Sequence, residues 1–370
     1  MKRTFILMLS ATMLLTSACN ANANDSTGTV QETTQKAAAP LKDLAGYEWS
    51  PIADAVAQGY VSGFPDGTFK PGDMVTRAQF LKMAAAALNY DVNINESAAN
   101  WYDPYVDVAL QKGLYKEVDF SRSELDKPMT RKELARIAVR GLGESFSTDN
   151  EMMYKATGKG LITGMGNGEL APDATTNRAQ AVTIIDRILK VNRGETLQTD
   201  KNALNYAEVA YRGTNLNTIF GAEPIDFPYT TYVGDGLKFT VHQLIIVDMS
   251  KPDSAYYKMF KDDLKVRQRH GNINQSYLYA FRATLVNEKV RPRQNESVRQ
   301  FVSMIEAQGA YTKDDLNIFP MHETGTWEGW LVFSKDKKPI DDGIAENGQI
   351  YTLYLNKNDG TFMDFMKMPK

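Results

Sequence analysis

Two fold classes are predicted in one chain, an all-α bundle of three repeats with a pseudo-threefold axis over residues 47–194 and an antiparallel β-sandwich over 205–370. Three observations predict them. Arg77, Arg131 and Arg178 stand at the same place in three similar segments. After each arginine the apolar residues recur with helical spacing, which marks a face that must be buried. From about Asn205 onward the pattern changes to strand-like alternation.

The chain begins with Lys2 and Arg3, then an apolar run from Thr4 to Thr16. That run is well short of the ~20 residues of a membrane-spanning helix. Residues 1–18 therefore read as an export signal. Residues 19–46 are rich in Asn, Ala, Thr, Gln and Ser and poor in large apolar side chains, the composition of a flexible tether. The repeats follow at about 47–92, 100–144 and 150–194. Eighteen residues before the arginines lie Gly59, Gly113 and Gly160. Behind them Phe80, Leu81, Met83, Ala84 and Leu88 match Leu134, Ala135, Ile137, Ala138 and Leu142, then Ala181, Val182, Ile184, Ile185 and Leu189. Three such stripes predict three equivalent helices around a shared core.

Each helix start carries the same chemistry. Thr76, Thr130 and Asn177 are capping residues, with Gln79, Glu133 and Gln180 three positions on, the pattern of a capping box. The arginine then falls on the first helical residue, the electrically unfavourable end for a cation. Placed there three times, it points to an anion held between guanidinium and free helix amides.

Composition narrows the function. Among 370 residues, 42 Lys and Arg stand against 45 Asp and Glu, a formal charge of −3. This near-balance argues against a general nucleic-acid or anionic-membrane binder. One cysteine allows no internal disulfide, thiolate zinc site or paired-thiol chemistry, and three scattered histidines make no metal centre. No cofactor and no metal are expected.

The motifs resemble a known family. Gly63-Phe64-Pro65-Asp66-Gly67-Thr68-Phe69 followed by Val75-Thr76-Arg77-Ala78-Gln79-Phe80 resembles the signature of surface-layer homology (SLH) modules. The resemblance implies a three-pronged helical bundle whose grooves bind the secondary cell-wall polysaccharide linked to peptidoglycan, in particular its pyruvylated N-acetylmannosamine. It assigns polysaccharide binding to Arg77, Arg131 and Arg178 and to the first turn at Asp66, Gly67 and Thr68. The second copy departs most, with Phe120 and Ser121 where Asp66 and Gly67 would fall, so one or two competent grooves are expected. Trp49 and Trp101, near the starts of the first two repeats, read as core aromatics. Leu15-Thr16-Ser17-Ala18-Cys19 resembles a lipoprotein lipobox, which implies a lipid on Cys19 and contact with the outer face of the membrane. Ala21-Asn22-Ala23 offers a competing secretory cleavage site, so lipidation and removal of Cys19 both stay open.

In the second half, Lys238–Val247, Ser276–Asn287, Thr326–Ser334 and 350–356 read as strands, and Asn358-Asp359-Gly360 as a hairpin turn. Their texture resembles immunoglobulin-like domains of Gram-positive lipoproteins. Two functions stay open for this half, a binding module displayed at the wall and an enzyme acting on wall polymers or peptides. The binding module is favoured, because His322-Glu323 is the one histidine beside an acid and neighbours on a strand point to opposite faces. His242 reads as part of the sheet. The run 251–300, with 11 Lys and Arg against 5 Asp and Glu, reads as a solvated basic face.

Overall fold

The computed structural model describes residues 41–44, 51–95, 97–232, 236–262, 264–266, 272–290, 296–297, 302–304, 308–311, 316, 318–319, 322–348, 353–356, 362–364 and 366–367. The expected signal, Cys19, the tether up to residue 40, Trp49 and the turn at Asn358 to Gly360 lie outside the described residues.

Helices α1 (Pro51–Ala57), α2 (Arg77–Ala87), α3 (Asp103–Gln111), α4 (Arg131–Gly141), α5 (Asp149–Gly158) and α6 (Arg178–Asn192) build the first part. Helices α2, α4 and α6 each start at an arginine, and each has a complete capping box. The cap accepts from the third helical amide, and Gln79, Glu133 or Gln180 accepts the cap residue's own N–H at 3.0–3.1 Å. Their apolar stripes meet in a single core cluster that includes Phe80, Leu81, Leu134, Ile137, Val182 and Ile185.

The residue two before each arginine closes a ring of backbone hydrogen bonds. Val75 N–H donates to Thr176 (3.0 Å), Thr176 to Met129 (2.9 Å) and Met129 to Val75 (2.9 Å). The ring gives the three segments a cyclic order, and the helix ends obey it. Arg77 and Ala78 donate their N–H groups to the carbonyls of Lys127 and Leu125, Arg131 and Lys132 to Ala174 and Pro172, and Arg178 and Ala179 to Asp73 and Pro71. Each helix N-terminus is thus satisfied by the loop of the next copy.

The described end of the segment read as tether is folded. Leu44 is buried in the helical core, and the Asp43 carboxylate accepts the amides of Phe69 (2.6 Å) and Lys70 (2.7 Å). Leu41 lies where a β-carbon on Gly63 would sit, 2.3 Å from that position. The composition of 19–46 as a whole hid two leucines, Leu41 beside the first turn and Leu44 in the helical core.

The second part is organised by an antiparallel sheet of six strands. The strands of the region are β1 (Glu223–Pro224), β2 (Tyr229–Tyr232), β3 (Leu237–Asp248), β4 (Lys265–Val266), β5 (Ser276–Asn287), β6 (Glu296–Ser297), β7 (Val302–Met304), β8 (Gln308–Tyr311), β9 (Ile318–Phe319), β10 (Gly325–Asp336), β11 (Leu353–Asn356), β12 (Phe362–Asp364) and β13 (Met366–Lys367). The main sheet runs β2-β3-β5-β10-β8-β4, β12-β11-β7 form a smaller one, and β1 pairs with β13 and β6 with β9. A bulge between Val241 and Gln243 shifts the alternation of β3. Phe239 and Val241 therefore share a face with Leu244 and Ile246. His242 sits at the bulge, half-buried, its Nε2 2.6 Å from Thr284 Oγ1.

A sandwich would cover one face of this sheet with a second sheet and leave the other to water. The described residues differ, because helices cover both faces. Leu216 and Phe220 of α8 (Leu216–Phe220) and, after Tyr257 and Phe260 of α9 (Tyr257–Lys261), Ile340 of α10 (Lys337–Asn347) are buried against the strands. Leu216, Phe220 and Ile340 pack on the Phe239 face, while Tyr257, Phe260 and Val209 of α7 (Lys201–Arg212) pack on the face of Ile245 and Val247. Helical signals were present in the sequence for α7: Asp200 caps it and Gly213, at φ 75°, ends it.

Residues 39–370 form one compact unit, and α7 joins its two parts. The Cβ of Asn202, with the backbone behind it, fills the position a β-carbon on Gly168 would take, and Gly168 is itself left-handed at φ 84°. The Asn202 side chain donates to the Asp253 carbonyl (2.7 Å) and accepts from Ala255 N–H (3.0 Å).

Candidate polysaccharide cleft

The three arginines are equivalent in sequence and unequal in surroundings. All are buried, with 7–9% of their surface exposed. The helix amides expected to share an anion with them are occupied by backbone carbonyls and caps, so the expected binding chemistry passes to the guanidinium and to neighbouring side chains.

Arg77 is neutralised. Its Nε and Nη2 donate to the two carboxylate oxygens of Glu133 at 3.2 and 2.6 Å, and its Nη1 donates to the Glu124 carbonyl at 3.1 Å. Phe120 lies under the guanidinium with its ring centre 4.9 Å away and stacks on Tyr115 at 4.8 Å. The aromatic that replaces the Pro-Asp-Gly turn in the second copy thus packs where a loop would otherwise stand.

Arg178 turns toward the first copy. Its Nε donates to the Phe69 carbonyl (2.9 Å) and its Nη2 to the Ser62 carbonyl (3.3 Å). Its guanidinium lies 4.8 and 4.6 Å from the ring centres of Phe64 and Phe69. Burial pushes its proton affinity below the ordinary arginine value, while Asp73 and Asp43 act in the opposite sense. Among the described residues no carboxylate pairs with it.

A cleft of about 240 Å³ opens at this point, lined by Tyr60, Ser62, Gly63, Phe64, Gln79, Lys82, Met83, Trp101 and Arg178. Two cations and three aromatic rings face it, and no carboxylate is among the lining residues. Lys82 Nζ lies 5.5 Å from the ring centres of both Trp101 and Tyr105. Burial, reinforced by Asp186 and Asp54, pushes the Tyr60 hydroxyl up to about 12, so it stays a donor at neutral pH. The shape has room for one substituted sugar, with ring faces for stacking and positive charge for an acidic substituent.

The family resemblance assigned binding to Arg77 and to Asp66, Gly67 and Thr68 of the same copy. The arginine that the structure brings to that copy is Arg178. Asp66 and Thr68 are spent on the turn itself: Asp66 Oδ1 accepts from Thr68 N–H (3.0 Å) and Thr68 Oγ1 (2.6 Å), and Gly67 takes the left-handed φ of 79° the turn needs. They shape the loop, and the preceding Ser62, Gly63 and Phe64 line the cleft. Trp101, read as core, is 54% exposed at its rim. Lys82 was not singled out. Its signal was available, as a cation one helical turn beyond Gln79 on the helix that Arg77 begins.

Arg131 repeats the Arg178 geometry against the third copy, donating from Nε to Leu170 (2.9 Å) and from Nη2 to Thr163 (2.5 Å). This turn has a further covering: Asp200 Oδ2 accepts from Gly164 N–H at 3.0 Å. Elsewhere, His322 and Glu323 lie 3.3 Å apart and about 60% exposed. Among the described residues no group of three or more His, Cys, Asp or Glu forms a metal site, and no helix is long and apolar enough to cross a membrane.

Known proteins match this chain in part. The S-layer homology domain model matches residues 40–81 and 149–182. Cell surface glycoprotein 1 of Acetivibrio thermocellus is 24% identical over 165 residues, 36% of this chain and 7% of its own. The Surface-layer 125 kDa protein of Lysinibacillus sphaericus is 25% identical over 189 residues, 44% of this chain and 16% of its own. An endoglucanase of a Bacillus species is 24% identical over 216 residues, 51% of this chain and 22% of its own. Each match spans less than a quarter of the relative.

Proposed function

We propose that this protein attaches to the cell wall through S-layer homology repeats over 47–194 and displays its C-terminal sheet domain there as a binding module. The attachment is to peptidoglycan-linked secondary polysaccharide, and the ligand is its pyruvylated sugar. One observation carries the reading, the cleft at Arg178, where a guanidinium that pairs with no carboxylate among the described residues, Lys82 and the Trp101 ring share one small opening. A pyruvate ketal puts a carboxylate on a sugar, and a cleft with cations and ring faces suits both halves of that ligand. The matched surface proteins support a wall location, as does the family model. A lipid on Cys19, if the lipobox is used, would add a tether to the membrane face.

The endoglucanase among the relatives favours a second reading, a wall-anchored enzyme that hydrolyses a wall polymer or peptide. The exposed His322–Glu323 pair lacks the enclosure that general acid–base chemistry uses, so the binding module remains the preferred role. Hydrolysis of peptidoglycan by the whole protein, abolished by a substitution in the sheet domain, would reverse that preference.

Lys82→Ala combined with Trp101→Ala tests the cleft without touching buried residues. Sedimentation with purified walls is expected to weaken about tenfold or more, the loss of one charge-assisted contact and one stacked ring. Walls stripped of pyruvate ketals by mild acid should retain the wild-type protein equally poorly. Undiminished sedimentation of the double variant removes the Arg178 cleft as the attachment site.

A further inference from the structure

We propose that Arg131 and Arg187 form a second anion site, doubly charged, that takes a phosphate group. The proposal deepens the groove reading above, because Arg131 is the counterpart of Arg178, and it adds a residue and a ligand class which that reading lacks.

Both guanidiniums gather on one turn. Arg131 holds the carbonyls of Leu170 and Thr163, and Arg187 Nη1 donates to the Leu161 carbonyl at 3.1 Å. Carbonyl oxygens solvate a cation without neutralising it. Among the described residues neither arginine has an acid within ion-pair distance. Three nearby acids are engaged elsewhere, Asp186 with Lys190 (2.8 Å), Asp173 with Lys132 (3.0 Å) and Asp200 with Gly164 and the cap of α7, and Glu169 on the turn itself is exposed and at ion-pair distance from neither arginine. Burial lowers the proton affinity of both arginines; the charge of Arg187 lowers that of Arg131 further, while Asp186 acts in the opposite sense on Arg187.

Among the described residues, Arg77 and Arg140 are treated differently. Nine residues after the leading arginine stands Ala86 in the first copy and Arg140 in the second. Arg140 is matched by Asp119 in a buried ion pair, as Arg77 is by Glu133. Only on the turn of the third copy, among the described residues, do two partly desolvated guanidiniums meet with no acid at ion-pair distance from either. Two like charges taken from water are costly unless an anion restores the balance. A phosphate dianion presents enough oxygens to accept from Arg131 Nη1 and from Arg187 Nε and Nη2 together, and these donors have no acceptor among the described residues.

Thermal unfolding of the full chain at pH 8 and constant ionic strength tests this. Inorganic phosphate should raise the Tm of the wild type by about 2 °C or more, as a ligand well above its dissociation constant does. Acetate at the same concentration should not. Arg187→Gln should lose the phosphate shift, and Arg187→Lys, which keeps the charge, should retain part of it. The Lys82/Trp101 double variant should keep the full shift, so that failure of the wall cleft and failure of this site are read separately. Glycerol 2-phosphate serves as a second probe: an equal shift indicates a phosphate borne on a polymer, and a shift with inorganic phosphate alone indicates the free ion. No phosphate shift in the wild type, or an equal shift in Arg187→Gln, overturns the proposal.

Discussion

The contrast between Arg77 and Arg178 shows how one residue type serves two ends. Arg77 and Glu133 are both nearly buried, with side chains 11% and 9% exposed, and each needs the other. Glu133→Ala leaves the buried guanidinium only its longer contact with Glu124 (3.7 Å) and is expected to cost about 3 kcal/mol in chemical denaturation, because breaking a buried pair from one side strands much of the remaining charge. Adding Arg77→Met should recover a large part of that loss; if it does not, the pair is held by packing and not by charge. Glu133 does double duty here, since the same carboxylate also closes the capping box of α4. The sequence made that second role legible through Thr130 and the three-residue spacing. It could not show the first, because 56 residues separate Arg77 from Glu133 and no local pattern links them.

At the scale of elements, α2, α4 and α6 were readable because their causes are local: caps, spacing and apolar stripes. Their partners were not. A repeat offset says which residues are equivalent but not in which direction the ring closes, so Arg178 was not matched to the Phe64 loop. Helices on both sheet faces escaped notice for another reason, since long buried strands such as Ser276–Asn287 carry apolar residues on both faces and an alternating pattern alone underestimates them. Helix α10 is held to the sheet end by charge. Lys337 bonds the Tyr277 hydroxyl and lies 3.3 Å from Asp248 and 3.0 Å from Asp341. Burial would raise the Asp248 carboxyl, but hydrogen bonds from Ser250 and the Lys337 charge outweigh it and hold the group below its ordinary value. A carboxyl depressed in the folded state stabilises above the ordinary carboxylate range, and that stability is lost as pH falls through the folded value. Asp248→Asn should therefore flatten the acid limb of a stability–pH profile; an unchanged slope below pH 4 would remove Asp248 from the account.

At the scale of the whole molecule, the repeat part and the sheet part are expected to unfold together. Helix α7 packs beside α5 through Asn150, whose side chain donates to the Ala210 carbonyl (2.8 Å), and it also places Asn202 on the 253–255 loop. Wild-type protein should melt in one calorimetric transition. Asn202→Ala removes two hydrogen bonds at the joint, at roughly 1 kcal/mol each, and is expected to split that transition into two. A single transition in the variant would place the coupling in the apolar contacts of α7 instead. The cyclic order has a separate bearing on how the protein is made. Arg178 reaches back 109 residues to the Phe69 carbonyl, so the cleft of the first copy is unfinished until the last helix of the three has emerged. A chain delivered N-terminus first would cross an export channel with this cleft still in pieces, and the proposed attachment would begin only after the third copy is outside.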